Sequence, residues 1–362
     1  MTKFTLFIKK PLVQILTLAL LQSHSLLSQA VVALQYHHID TSTPSSTSTS
    51  PALFKQHIEF LVNNDFTVAS LPTIVDALKA KETIKDKTVA ITFDDGFISV
   101  YTNAFPILKA HSLPFTVFVN TDPIHANRPS HVSWDQLKEM KQHGATIANH
   151  THKHSHLINA GKHSTNHDNS ELSSQEWREA FKEEVNTAQN LLESKLNQDI
   201  RLFAYPYGEF DQQSNQLLKE MGYIGFGQHS GAIGADMDLQ SLPRYPASNQ
   251  YGKFPLIATK LNSIAFEKIE FKPEHGVIDY ESENPPELYI YGDKASLNNI
   301  NCFGSSVGVL PKINVDSTTL LIKPEHPFKT RRFRYNCTAK SSETGHFRWI
   351  SIPWVNLTVG IK

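Results

Sequence analysis

Two adjacent carboxylates, Asp94 and Asp95, stand between a run of strand formers, Thr88-Val89-Ala90-Ile91, and Gly96. Neighbouring strand residues point to opposite faces, so both acids reach one pocket only where the strand ends and the chain bends. Gly96 permits that bend and a close backbone approach. Alone, such a triplet reads as a solvated acidic turn. A second cluster changes the odds: His150-Thr151-His152-Lys153-His154-Ser155-His156 carries four alternating histidines. In a straight strand His150 and His154 would be about 13 Å apart at a rise of about 3.3 Å per residue. A single metal needs both ring nitrogens at about 2.0–2.1 Å, so sharing an ion requires the chain to turn after His150. Two histidines with a carboxylate from another strand end make a catalytic zinc set that leaves positions open for water.

The elements that must position these residues alternate strand and helix. Strands are expected at Val31–Ile39, Phe66–Ala69, Phe115–Val119, Thr146–Ala148, Leu202–Tyr205 and Ile224–Phe226, the first and third of buried type. Helices are expected at Leu53–Asn63, Leu71–Lys81, Tyr101–His111, Ser133 to about Gln142, Ser173–Leu196 and Asp211–Met221, with Ser133 and Gln136 at capping-box spacing. This order predicts an α/β domain with a largely parallel sheet, in which ligands gather at strand carboxyl ends. Asp94, Asp95, His150 and Tyr207 fall at such ends. The Thr41–Ser50 tract has the composition of an exposed loop, and Asn159–Ser173 reads as a polar insertion near the site. Beyond Lys253 only short strands separated by turn residues are expected, which predicts a small all-β accessory domain over 254–362, a sandwich in outline.

Length and composition suit this two-domain plan. The chain has 362 residues, 40% hydrophobic and 19% charged, with a net charge of −1. No basic block points to nucleic acid. The first 30 residues read as a signal peptide: Lys3, Lys9 and Lys10 flank an apolar run from Leu12 to Leu21, and Ser28-Gln29-Ala30 fits a small-x-small cleavage site. An uncleaved membrane anchor is the alternative. The export reading places the protein in the periplasm or outside the cell, compatible with peripheral association with the cell envelope. The two cysteines, Cys302 and Cys337, suggest a disulfide in an exported chain, with two free thiols as the alternative. Oligomeric state is not legible.

Three motifs in order carry a resemblance to a known family. Thr92-Phe93-Asp94-Asp95-Gly96, then His150-Thr151-His152-Lys153-His154, then Tyr205-Pro206-Tyr207-Gly208 resemble the successive motifs of the polysaccharide deacetylases of NodB-homology fold, carbohydrate esterase family 4. The resemblance covers roughly residues 31–250, implies a deformed (β/α) barrel for the domain over 31–253, and says nothing of the β domain. It implies that Asp95, His150 and His154 hold a divalent metal, zinc ahead of nickel or cobalt. It implies Asp94 as general base, and the backbone N–H of Tyr207 as a partner of the metal in stabilising the oxyanion. The implied reaction is removal of N-acetyl groups from an N-acetylglucosamine-containing glycan.

Two departures from the family pattern stand out. Ala204 occupies the place where many members carry an arginine that orients the catalytic aspartate, and Arg244 is the candidate substitute. The late histidine motif that supplies a general acid is not found. In members acting on poly-β-1,6-N-acetylglucosamine that histidine precedes the Asp-Asp motif, and Tyr36-His37-His38 resembles this order, implying His37 as the acid. His152, His156, His163 and His167 are read as surface residues, Trp134 and Tyr245 as candidates for stacking on sugars. A non-catalytic glycan-binding protein on a degenerate deacetylase domain, or an O-acetyl esterase using the same site, are the alternatives.

Overall fold

The computed structural model describes residues 30–159, 174–266, 268–272, 276–278, 280–292, 297–342 and 344–360. The signal-peptide reading, over 1–29, lies outside the described residues. So do 160–173 of the polar insertion, with His163 and His167.

Eight strands form one sheet: β1 Val31–Tyr36, β2 Thr67–Val68, β3 Thr88–Phe93, β4 Phe115–Val119, β5 Ala145–Asn149, β6 Leu202–Ala204, β7 Ile224–Phe226 and β8 Tyr245–Pro246. Their order is β8-β1-β3-β4-β5-β6-β7, and every pairing is parallel. β3 divides one edge between two partners, taking β2 at Thr88 and Val89 and β4 at Thr92 and Phe93. A parallel bridge between Phe226 and Leu242, just ahead of β8, brings the two ends of the sheet together. The result is the expected deformed barrel. β1, β3 and β4 are buried along their whole length, as strands covered on both faces must be.

Helices Pro51–Asn63 and Leu71–Ala80 begin at Ser50 and Ser70, whose side chains accept the backbone N–H three residues on. The Ser133–Gln136 capping box forms with both of its hydrogen bonds and starts Trp134–Gln142. Ser174–Leu196 is the longest helix described. The helix expected over Tyr101–His111 is instead a π-turn, Val100–Ala104, followed by Phe105–Ala110. Pro106 has no N–H to give the carbonyl four residues back, and the N–H of Phe105 bonds Val100 five residues back. The Ser/Thr/Pro tract is not all exposed. Its end, Ser48–Thr49, pairs with His38–Ile39 and is buried, with the Thr49 hydroxyl donating to the Ala247 carbonyl at 2.9 Å.

The remainder is all-β. A four-stranded sheet runs Lys268–Lys272, Glu287–Tyr291, Thr319–Ile322, Lys312–Asn314, and a five-stranded sheet runs Val277–Ile278, Phe347–Asn356, Arg332–Lys340, Asn301–Gly304, Gly308–Val309. Leu288, Ile290 and Leu320 of one meet Tyr335, Ile352 and Trp354 of the other in a shared core. Cys302 and Cys337 lie opposite each other on adjacent strands and are disulfide-bonded. Tyr289 and Tyr291 are only half-buried and alternate with the core residues, so they do not serve as strand core. The core of the α/β half continues past Lys253: Ile257 and Leu261, on the helix Leu256–Leu261, and Ala265 all belong to it. The halves meet along Phe347–Asn356, where the Ile264 N–H donates to Phe347 O, Ser351 N–H donates to Ser230 O, and Trp349 packs edge-on against Tyr245 at 5.5 Å.

Candidate active site

At the end of β3 the Asp94 N–H donates to the Tyr36 carbonyl at 2.9 Å, keeping Asp94 in register with β1. The next two residues leave it: Asp95 has φ 70° and Gly96 φ 72°. A Cβ at Gly96 would lie 2.9 Å from Val119 Cγ1, so both space and conformation require glycine there. The chain bends where the sequence predicts, and both acids reach the same end of the barrel, Asp94 buried beside Arg244 and Asp95 facing the histidines.

Asp94 is fully buried. Arg244, equally buried, grips it with two parallel bonds, Nη1 to Oδ1 at 2.6 Å and Nη2 to Oδ2 at 2.8 Å. Gln35 Nε2 donates to Oδ2 at 2.6 Å, and His37 Nε2 lies 3.9 Å from Oδ2. Arg244 is itself fixed by bonds from Nε to Gly227 O and from Nη1 to Thr92 Oγ1, with its guanidinium 5.1 Å from the Phe118 ring centre. Burial alone would raise the pKa of Asp94. The charges of Arg244, His150 and His37 outweigh it and bring the net shift down.

Asp95 faces the two histidines. Its Oδ1 is 3.4 Å from His150 Nε2 and 3.3 Å from His154 Nε2, and one donor atom from each of the three residues lies within 4.8 Å of the others. Against burial, which would raise it, the histidines around it hold the Asp95 carboxyl well below the ordinary range. The chain turns after His150, as a shared ion requires. Thr151 has φ 69° and His154 φ 60°; the Thr151 N–H donates to Asn149 Oδ1, and the Thr151 hydroxyl accepts the His154 N–H at 3.0 Å. The rings of His150 and His154 then come within 4.8 Å.

The donor set fits a divalent metal on its own evidence. His150 Nδ1 is 2.7 Å from the Ala204 carbonyl, so Nδ1 carries the proton and Nε2 presents its lone pair toward Asp95. That Nε2 is buried and has no hydrogen-bond partner. Burial lowers the His154 pKa to about 4, which keeps its ring neutral. Arg244 balances Asp94, whereas among the described residues only histidines pair with Asp95. Two imidazoles, one of them fixed with its Nε2 toward the acid, and one carboxylate are a zinc-type set.

On the opposite wall Pro206-Tyr207-Gly208 turns sharply, with Tyr207 at φ 60°, ψ 0°. The Tyr207 ring packs edge-on against His154 at 4.5 Å and flat on His156 at 3.9 Å. Thus Asp94, Asp95, His37, His150, His154, Tyr207 and Arg244 all come to one end of the barrel.

Four partners of these residues were not read from the sequence. Gln35 is the one polar residue in the apolar run Val31–Tyr36, and that interruption was the available signal. Glu209, a buried carboxylate, bonds His156 Nδ1 at 2.8 Å, so His156 is not a free surface residue. Arg331 and Arg332 reach this loop from the β domain, and no local pattern announces them. Tyr245 is fully buried with its hydroxyl on Ser263 at 2.7 Å, which rules it out as a sugar platform, and Trp134 packs partly buried against the main core.

The family described as polysaccharide deacetylase matches residues 81–225. The poly-β-1,6-N-acetyl-D-glucosamine N-deacetylase of Staphylococcus epidermidis is 27% identical over 241 residues, covering 61% of this chain and 80% of that protein. The protein of the same name from Escherichia coli K12 is 24% identical over 247 residues, covering 60% of this chain and 36% of its own, so the chain spans about a third of that relative's length. Among solved structures, the Streptococcus pyogenes deacetylase PplD in complex with acetate superposes with a TM-score of 0.54 at 26% identity, over 62% of this chain and 95% of its own.

Proposed function

We propose, from a chain whose residues 81–225 match the polysaccharide deacetylase family, that this protein is a metal-dependent N-deacetylase of an N-acetylglucosamine polymer. The names of two relatives support poly-β-1,6-N-acetyl-D-glucosamine as that polymer. The observation that carries the reading is the meeting of two unlike acids: Asp95 within reach of both His150 and His154, and Asp94 locked by Arg244 beside His37.

Asp95, His150 and His154 would hold the cation, with zinc ahead of nickel or cobalt. Bound there, such an ion makes water nucleophilic at neutral pH and polarises the acetyl carbonyl. The chain's own groups do the rest. Asp94 takes the proton of the attacking water. A carboxylate has about four acceptor directions, and Arg244 and Gln35 occupy three of them, leaving one for that proton. Arg244 supplies the clamp that Ala204 does not. The Tyr207 backbone N–H faces the oxygen that becomes negative as the acetyl carbon turns tetrahedral. His37 then protonates the amide nitrogen, the C–N bond breaks, and acetate and a glucosamine unit leave.

We assign the chain to the exported proteins acting on extracellular or periplasmic glycan. The homologues' polymer and the N-terminal apolar run support this, and no described helix is long and apolar enough to cross a membrane. The test is acetate release by the metal-loaded protein from β-1,6-linked N-acetylglucosamine oligomers, chitooligosaccharides and acetylxylan. The first substrate is expected to react fastest, and Asp94→Asn to lower the rate by about 10²–10⁴-fold. Undiminished release by Asp94→Asn would sink the reading, and reaction with acetylxylan alone would make the protein an O-acetyl esterase.

A further inference from the structure

The β domain sends two arginines, Arg331 and Arg332, to the turn that carries Tyr207. Arg332 Nη1 donates to the Tyr207 carbonyl at 3.3 Å, and its guanidinium lies 5.3 Å from the Tyr207 ring centre. The Nε atoms of Arg331 and Arg332 each lie 3.7 Å from Glu209 Oε1. Glu209 Oε2 bonds His156 Nδ1, and the His156 ring stacks on Tyr207 at an interplanar angle of 9°. These contacts close a circuit: Tyr207 to Arg332, Arg332 to Glu209, Glu209 to His156, His156 back to Tyr207.

Two features of the turn require outside support. Tyr207 holds a left-handed backbone that a bulky residue rarely adopts, and such a conformation persists only where its surroundings over-determine it. Glu209 is 1% exposed, and a buried carboxylate must be matched by cations. Among the described residues the α/β half contributes the His156 hydrogen bond, and the two permanent positive charges come from the β domain.

We propose that the β domain is part of the catalytic unit and that Arg332 is a positioning residue, fixing the Pro206–Glu209 turn so that the Tyr207 N–H points at the reacting carbonyl. The β domain acts here by holding one turn, independently of any glycan contact of its own. The inference rests on the oxyanion role given to Tyr207 above. That role exists chiefly in the transition state, so loosening the turn lowers kcat and leaves KM nearly unchanged.

The experiment uses the full-length, metal-loaded protein and the variants Arg332→Ala, Arg332→Lys and Glu209→Gln. Steady-state acetate release is measured beside amide hydrogen exchange of peptides covering 205–210 and 333–340. Arg332→Ala is expected to lower kcat about tenfold with KM within about twofold, and to speed exchange of 205–210 at least about fivefold while 333–340 is unchanged. Arg332→Lys restores part of kcat, since an ammonium can still meet the Tyr207 carbonyl. Glu209→Gln, which leaves the β domain's sequence intact, gives the same pair of changes. Unchanged kcat and unchanged exchange in these variants overturn the proposal, as does a rise in KM at constant kcat, which would make Arg332 a substrate contact. Absence of acetate release by the wild type would instead sink the deacetylase reading, and the exchange data alone would then judge the clasp.

Discussion

Replacing Arg244 by methionine removes a cation with no solvent access from a carboxylate with none. Two unit charges about 4 Å apart at an effective dielectric of about 20 attract by about 4 kcal/mol. Removing one member of a buried pair costs about 3–5 kcal/mol, because the other is left uncompensated. Arg244→Met should therefore lose about 4 kcal/mol of unfolding free energy, read from urea denaturation at pH 7. Asp94→Asn alone strands the guanidinium and should lose a similar amount. With both changes the uncompensated charge is gone, and the double variant should be at least about 2 kcal/mol more stable than the sum of the singles requires. The direction with pH follows from the lowered pKa of Asp94. The pair's contribution is complete above the unfolded value of 3.8 and is lost as pH falls through the lower folded value, so pH 7 reports it in full. Additivity of the two single losses within about 0.5 kcal/mol would refute the claim that Arg244 holds Asp94.

Three further outcomes follow from other parts of the molecule. Zinc at about 100 times its Kd should stabilise the wild type by about 2.7 kcal/mol in thermal-shift measurements, and Asp95→Asn or His154→Ala should abolish most of that gain; an undiminished gain would place the ion elsewhere. His57 is buried between Tyr36 Oη and the Gly252 carbonyl, and burial lowers its pKa from 6.5 to about 4. The unfolded chain takes up that proton first, so stability should fall by about 3 kcal/mol as pH drops from 6.5 to 4, and His57→Gln should flatten this limb of the urea-midpoint profile. The disulfide closes a 35-residue separation, for which the chain-entropy relation gives about 4 kcal/mol. Reduction or Cys302→Ser should lower the unfolding free energy of the β domain by about that much, seen in the fluorescence of its buried Trp354.

What the sequence disclosed and what it hid divide along a physical line. Strand ends are local: hydrophobic runs such as Phe115–Val119 announce themselves, and the groups just beyond them, Asp94, Asp95 and His150, share an end because parallel strands point one way. The turn from His150 to His154 was inferable because an ion cannot be shared across an extended segment. Long-range partners have no local signal. Gln35 reads as one more strand residue until β1 is laid beside β3, and Glu209 meets Arg332 only when two domains dock. Arg244 was reached through the gap at Ala204, where an expected charge was missing, more than through its own surroundings. Tyr245 misled because an aromatic residue near a site is equally at home inside it or beneath it, and periodicity in a two-residue strand cannot distinguish the two. Pro106 shows a smaller failure of the same kind: the apolar spacing over Tyr101–His111 is helical, but one missing N–H changes the register of the first turn.

The neighbours of β1 carry a consequence for how the chain acquires its structure. β1, the first strand, lies between β3 and β8, the last. Asp94 and Arg244 are 150 residues apart in the sequence, and both flank β1. While the chain is being synthesised, everything through β7 can be present while the place beside β1 stays vacant and Asp94 lacks its counter-charge. Contacts of such separation close late and slowly. The barrel therefore has no shorter autonomous version ending before residue 246. Any stretch of chain ending between Asp94 and Arg244 leaves the central carboxylate without its counter-charge, and the commitment to a native centre falls to the final strand.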